Sequence, residues 1–542
     1  MADPRPTIPA HLSRRSLLRS LFLGAAAVHT SAWLPQRAHA NTQAAELQLP
    51  SGPLANIGPL EKKTLTAGTL PGIDEELFAP AGFDVRVVAR HGLDPLTGQS
   101  AADGGYNWHR DPDGGAVFPS KEDGGWVYVS NSEETPGGVG ALRFDASGNL
   151  IAAYPILQGT RNNCAGGATP WGTWLSCEET GGGEVYECDP FGTPETAVRK
   201  GNLGAFPHEA AAIDPRHHAC YMTEDGGSNR FWRFVADDDD LTETADGVTR
   251  MGLERGRLQV MNIEGFEDGG EPSEADLRLP RKVRWRDVPT LPAPLTDRPR
   301  IPTVTRRGTF FAAAEGIWYY EIPESLRTVP EQGTVPTRGV MFFATKRDNR
   351  VHAYDIENDL IELIYDNENM QLETGFNDVD NVVVSPAGDV LVAEDGQLMR
   401  LVVIVPNGAA KVLMQIRKGG SEITGPAFTP DGSRLYFSSQ RGPSGPDGSD
   451  NGGTTYEMLI PPAFRQIGGG SPSPAPEPAP TPEPAPVPEP APAAEGAGSG
   501  DGSGSFAAGT AAAGLATAAA AQLARNRRAA TDASSGTEDD RD

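Results

Sequence analysis

RNNCAGGATPWGTWLSCEET, Arg161 to Thr180, holds a cysteine, two Gly-containing turns, an aromatic strand pattern and a carboxylate pair. The second half of that stretch recurs along the chain. GGWVYVSNSEET reaches Glu133-Glu134, WGTWLSCEET Glu178-Glu179, HACYMTEDGG Glu224-Asp225, GVMFFATKRDN Asp348, GDVLVAEDGQ Glu394-Asp395 and SRLYFSSQRG Gln440. The gaps from Glu133 to Glu178, Glu178 to Glu224, Asp348 to Glu394 and Glu394 to Gln440 are 45, 46, 46 and 46 residues. Only the interval from Glu224 to Asp348 breaks the period.

Short alternating strands repeating every forty-odd residues mark a β-propeller, one four-stranded blade per repeat. Each recurring strand follows another across a tight turn: Asp214-Pro215, Pro386-Ala387-Gly388 or Pro430-Asp431-Gly432. Pro presets φ for such turns, and Gly or Asp tolerates the bend. Six strand pairs predict an all-β, six-bladed β-propeller.

A polar group stands at the start of the first strand of each pair. These are Trp108-His109, Cys164, His208-Glu209, Glu315, Asn377-Asp378 with Asp380-Asn381, and Glu422. Inner strands line the channel of a propeller, so equivalent residues of successive blades converge on its axis. That many carboxylates repel one another unless cations offset them, which is the physical case for metal.

The 542 residues suffice for one large domain with appendages. Lys+Arg 46 against Asp+Glu 73 gives −27, which argues against nucleic acid or an anionic membrane surface as partner. Ser13-Arg14-Arg15-Ser16-Leu17-Leu18-Arg19, an apolar stretch and Ala38-His39-Ala40 form a twin-arginine export signal over 1–40. The twin-arginine translocation machinery is therefore an expected partner, and the periplasm or the exterior the expected destination. Residues 41–77 read as an arm and 78–466 as the propeller, with an insertion over about 236–302 expected to cross one mouth of the channel. From 467 to 542, Pro-rich and then Ala/Gly/Ser-rich sequence is expected to be disordered. The four cysteines, Cys164, Cys177, Cys188 and Cys220, cannot be paired from sequence.

NNCAGGATPWGTWLSCEE, SNSEE, FPHEAAAIDP, YMTEDG, the AEG before Ile317-Trp318, and ATKRDNRVHAYD with its partner DNVVVSP resemble the PhoX family of alkaline phosphatases. The resemblance covers roughly residues 75–465. It implies a twin-arginine-exported propeller that hydrolyses small phosphomonoesters with a buried cluster of ferric iron (Fe3+) and calcium (Ca2+), one iron ligand being a cysteine. Carried to matching positions, Cys164 is the thiolate ligand. Glu178, Glu179, Glu209 and Glu315 are carboxylates of the cluster, and Asn377, Asp378, Asp380, Glu394 and Glu422 are candidates from later blades. Cys164, Glu179, Glu209 and Glu315 would serve catalysis directly. A monomer is expected.

The chemistry suits those residue types. Calcium takes carboxylate and carbonyl oxygens, ferric iron accepts hard oxygens, and a thiolate adds soft donation. Other readings stay open for several residues. Cys177 reads as core, and His208 as a partner of Glu209 or a structural histidine. Lys346, Arg347 and Arg441 read as phosphate contacts or salt links, and Trp171 and Trp174 as blade core. Two other functions also fit the pattern: a metal-dependent propeller hydrolase such as a lactonase, or a non-catalytic calcium-stabilised binding propeller.

Overall fold

The computed structural model describes Leu47, Leu49 and residues 51–465, except 66–69, 71–75, 103–104, 289–306, 331–332, 366–374, 377, 397, 407–408, 418–420 and 443–451. The export signal, the tail, Asn377 and the end of the insertion lie outside the described residues.

Twelve strands organise the molecule: β1 (Pro112–Pro119), β2 (Trp126–Ser132), β3 (Asn163–Ala168), β4 (Trp174–Glu178), β5 (His208–Asp214), β6 (Ala219–Glu224), β7 (Ala314–Glu321), β8 (Gly339–Thr345), β9 (Val379–Val384), β10 (Val390–Glu394), β11 (Ile423–Phe428) and β12 (Arg434–Ser439). Each odd-numbered strand pairs antiparallel with the next. Further strands continue each sheet outward. The odd-numbered strands touch in cyclic order, β1 to β3, β5, β7, β9, β11 and back to β1. A closed ring of inner strands is the geometry of a β-propeller. The last sheet is completed from the other end of the chain. Val85–Arg90 pairs with Thr454–Leu459, Val85 opposite Met458 and Arg90 opposite Thr454.

Sheets that face neighbours on both sides bury both faces, so strict alternation gives way to apolar runs. Every residue of β9, VDNVVV, is buried. The core lies between sheets: Val383, Leu391 and Leu401 pack with Leu435, Phe437, Tyr456 and Met458. Near the axis the strands come too close for side chains. A Cβ on Gly316 of β7 would lie 2.6 Å from the Asn381 Cα of β9, and one on Gly167 of β3 would collide with the Ala211 carbonyl of β5.

The expected insertion is divided. Phe231–Ala236 and Gly256–Ile263 are further strands of the third sheet, and Arg281–Asp287 continues it to Leu360–Tyr365. Among the described residues of this span, the sequence between these strands leaves the sheet, including a small hairpin of Leu241–Glu243 with Thr249–Met251. Leu258, Val260, Met261 and Ile263 are buried, an apolar signal obscured in the sequence by flanking charges. The arm also contributes strands: Leu60–Lys62 pairs with Leu77–Pro80, which joins the fifth sheet. Among the described residues no helix is long and apolar enough to cross a membrane.

Candidate metal centre

The inner strands share one local irregularity. Their register with the next strand shifts between Pro112 and Gly115, Asn163 and Gly166, His208 and Ala211, Ala314 and Ile317, and Val379 and Val382. Each is a β-bulge, which re-aims a side chain that regular pleating would send elsewhere. The first residues so released are Asp113, Cys164, Glu209, Glu315 and Asp380, all buried. On β11 the register pairs Ile423 with Ser439 and Thr424 with Ser438, so Thr424 stands where the other strands carry an acid or thiol. Glu422 enters from two residues earlier.

A second set follows the even-numbered strands. Glu133, Glu179, Lys346, Asp395 and Gln440 each come just past a strand end. Each backbone N–H donates across the strand mouth, to the carbonyls of Asp111, Asn162, Ala313, Asp378 and Glu422, at 2.8–3.1 Å. Asp111, Asn162, Ala313 and Asp378 take left-handed φ values of 43°, 43°, 56° and 54° to aim those carbonyls. Asp225 follows β6 at the equivalent place.

The two sets meet. Four groups have ligand atoms within 4.8 Å of one another: Asp113, Glu133 and Cys164; Cys164, Glu179 and Glu209; Glu209, Glu315 and Asp380; and Asp380, Asp395 and Glu422. Cys164, Glu209 and Asp380 each belong to two groups, so eight carboxylates and one thiol form a connected chain. Two oxygens bound to one calcium at about 2.3–2.6 Å lie at most about 5 Å apart, so these separations admit shared cations.

Electrostatics point the same way. Burial, then the neighbouring acids, lifts Glu209 and Glu315 well above the ordinary carboxylate range. Burial does the same to Asp113, reinforced by Glu133, and to Glu422, reinforced by Asp395. Glu179 is pushed up to about 8 by burial and by Glu133 and Asp225. Burial and the surrounding acids raise the Cys164 thiol well above its usual value. Alone, these groups hold protons; a bound cation reverses that preference. Two carboxylate oxygens, Glu209 Oε2 and Glu315 Oε1, are buried without a hydrogen-bond partner. Unpartnered buried carboxylate oxygens beside a thiol fit iron and calcium by donor chemistry.

The surroundings fix the ligating atoms. Asn131 Nδ2 donates to the Cys164 and Ala165 carbonyls at 2.9 and 2.5 Å, and its Oδ1 accepts from Trp174 Nε1 at 2.9 Å and Ser176 Oγ at 3.0 Å. Gln440 Nε2 donates to Asp113 Oδ2 at 2.8 Å and Glu133 Oε2 at 2.6 Å. The Lys346 ammonium lies 2.8 Å from Asp395, 3.1 Å from Asp380 and 3.8 Å from Glu315. Arg441 meets Glu422 at 3.2 Å, and Arg347 meets Asp225 at 3.3 Å.

Cys164, Glu179, Glu209, Glu315, Asp380 and Glu422 thus come together as the sequence led one to expect. Glu178, Asp378 and Glu394 do not join these groups. Glu178 accepts the Arg161 and Glu184 N–H groups, each at 3.1 Å, and ties down a loop. Glu394 is held by Arg400 through two 2.6 Å hydrogen bonds. Asp378 serves through its backbone. Asn377 lies outside the described residues. Glu133 and Asp395 complete the chain of acids although neither is among the ligands expected from sequence. Asp113 belongs to the Asp-rich DPDGG turn, which reads as a calcium site or a solvated hairpin, and Lys346 makes salt links to Asp380 and Asp395. Trp108, expected at the head of the first inner strand, instead donates to Thr455 Oγ1 at 3.0 Å. His208 turns to the Gly204 carbonyl at 3.2 Å and packs on Phe206. All four cysteines are buried and free.

The family model described as alkaline phosphatase PhoX matches residues 136–184 and 181–360. Pseudomonas fluorescens PhoX in complex with vanadate, a transition state analogue, is similar in fold: TM-score 0.54 and 15% identity over 77% of this chain and 99% of that one. A Bacteroides thetaiotaomicron protein of unknown function gives TM-score 0.38 and 8% identity over 72% of this chain and 83% of its own. A Xanthomonas campestris gluconolactonase gives TM-score 0.34 and 10% identity over 75% and 98%. Likenesses as weak as the last two carry no argument about activity. No curated protein matches the sequence.

Proposed function

We propose that this chain, a member of the PhoX alkaline phosphatase family, hydrolyses small phosphomonoesters with iron and calcium held by the acids and thiol at the propeller axis, releasing inorganic phosphate. The observation that carries the reading is the meeting of Cys164, Glu179, Glu209 and Glu315 from three neighbouring strand pairs of the ring, with Glu209 Oε2 and Glu315 Oε1 left unpartnered. Such a donor set has little purpose in a folded core unless it binds a cation.

Bound cations would neutralise the charge gathering on the transferring phosphoryl oxygens and make water a stronger nucleophile. The chain supplies the rest. Cys164, Glu179, Glu209 and Glu315 hold the metal, and the Asn131 network keeps the Cys164 backbone in place. Burial of these ligands keeps bulk water from screening the charges. Arg347 and Arg441, with side chains 58% and 44% exposed, stand at the rim where a phosphate dianion enters. Export through the twin-arginine route would suit a protein that folds around metal before crossing the membrane, with its reaction in the periplasm or outside.

Turnover of a chromogenic phosphate monoester by the purified full-length protein tests the reading. Release of phosphate that stops when a chelator removes the metal is expected. Metal-loaded protein that releases none would reject it.

A further inference from the structure

The acid chain is not uniform along its length. Among the described residues, no lysine or arginine forms an ion pair with Glu179 or Glu209, and Glu209 Oε2 has no hydrogen-bond partner. At the opposite end the carboxylates are answered by the protein itself. Lys346 Nζ lies 2.8 Å from Asp395 Oδ2 and 3.1 Å from Asp380 Oδ2, and Arg441 lies 3.2 Å from Glu422 Oε1. Lys346 also faces Glu315 Oε1 at 3.8 Å, beyond hydrogen-bond reach, which leaves that oxygen free for another cation.

The position of Lys346 in the repeat makes the contrast pointed. Just past their even-numbered strands, three of the other sheets carry Glu133, Glu179 and Asp395, whose N–H groups make the same bond across the strand mouth. At the fourth sheet that place carries a lysine, and its N–H makes the bond to the Ala313 carbonyl at 2.9 Å. The backbone therefore aims the side chain inward as it does the acids. A charge of opposite sign is delivered to a position that carries an acid in three of the other repeats. An ammonium has three N–H donors, and two carboxylates, Asp380 and Asp395, lie within their reach.

We propose that Lys346 is a built-in cation: its ammonium sits on Asp380 and Asp395, two of the three acids of the Asp380–Asp395–Glu422 group, where a metal ion would otherwise bind, and so confines metal to the Cys164–Glu179–Glu209–Glu315 end. The proposal rests on the metal reading above and narrows it. A fixed positive charge in contact with Asp380 and Asp395 repels a divalent ion from the same oxygens and supplies the neutralisation they need. Arg441 does the same for Glu422.

Metal content per chain, measured by elemental analysis on full-length wild type and variants loaded with iron and calcium, tests this. Asp395→Asn should keep the wild-type content, because Asp395 faces the lysine and not a metal. Lys346→Arg should also keep it. Lys346→Met should gain about one calcium per chain, since three acids are then left for a hard cation. Loss of a metal in Asp395→Asn overturns the proposal, and this arm stands even if Lys346→Met fails to fold. Unchanged metal content in folded Lys346→Met with weakened binding of inorganic phosphate overturns it too, and makes Lys346 a phosphate contact. A wild type that takes up neither iron nor calcium overturns the metal reading and this proposal together. Wild-type metal with unchanged Lys346→Met content overturns this proposal alone.

Discussion

Cys164 Sγ lies 3.3 Å from Glu209 Oε1, although 45 residues separate them in the chain. That separation is one repeat. Each residue occupies the bulge of its own inner strand, and the two strands are neighbours in the ring. The pair exists because the fold returns to the axis once per repeat.

Replacing Cys164 removes the one soft donor of the centre. Cys164→Ala should lose iron and lower phosphate release at least about 100-fold, since the bound cation supplies several kcal/mol of transition-state stabilisation. Its circular dichroism should match wild type, because the small cavity lies at a strand end. Full iron content in the variant would contradict the ligand role.

Glu394 and Arg400 form a buried pair with two 2.6 Å hydrogen bonds. Glu394→Gln removes the Glu394 charge from the buried Arg400 guanidinium, and breaking a buried pair in this way costs about 3–5 kcal/mol. Metal content of the folded fraction should not change. Denaturant unfolding and elemental analysis together check this, and a loss of metal at wild-type stability would return Glu394 to the centre.

Metal removal should make stability depend on pH. The Glu179 carboxyl, raised from its ordinary 4.5 to about 8 by burial and by Glu133 and Asp225, keeps its proton in the folded state where the unfolded chain has lost it. Its contribution is fully present below about pH 4.5 and is lost as pH rises through about 8. The chelated protein should therefore melt several degrees lower at about pH 9 than at about pH 5, and the metal-loaded protein should show a smaller drop. Equal slopes with and without metal would count against cation neutralisation of these acids.

Gly167 lies so near the Ala211 carbonyl that a methyl group cannot fit without moving a strand. Gly167→Ala should destabilise the protein by about 1–3 kcal/mol, by forcing β3 and β5 apart. It should also weaken metal binding, because Cys164 and Glu209 ride on those two strands. A variant with wild-type stability would show that the inner strands yield more easily than close packing suggests.

The period of the strand pattern was enough to read the fold class, because each repeat carries its own turn chemistry and apolar alternation. It also located Cys164, Glu209 and Glu315. Where two acids are adjacent, the sequence reading prefers Glu179 over Glu178 for catalysis but takes Glu394 rather than Asp395 as the ligand. Of Glu178 and Glu179 it is the second that faces the axis, and of Glu394 and Asp395 again the second, since strand alternation turns the first toward the sheet interior. Knowing that the inward residue comes just after the strand end would also have selected Glu133 and Lys346. Asp113 lies in a DPDGG stretch that reads equally as an Asp-rich calcium turn or a solvated hairpin, and that forms the start of β1. Bulges cannot be read from spacing alone, because they depend on how two strands register.

Anomalous scattering from a crystal of the exported protein, recorded at the iron absorption edge, tests the central claim most directly. The account predicts a peak in contact with Cys164 Sγ and the Glu209 carboxylate. An active crystal with no iron peak there, or with its only peak elsewhere on the protein, would contradict it.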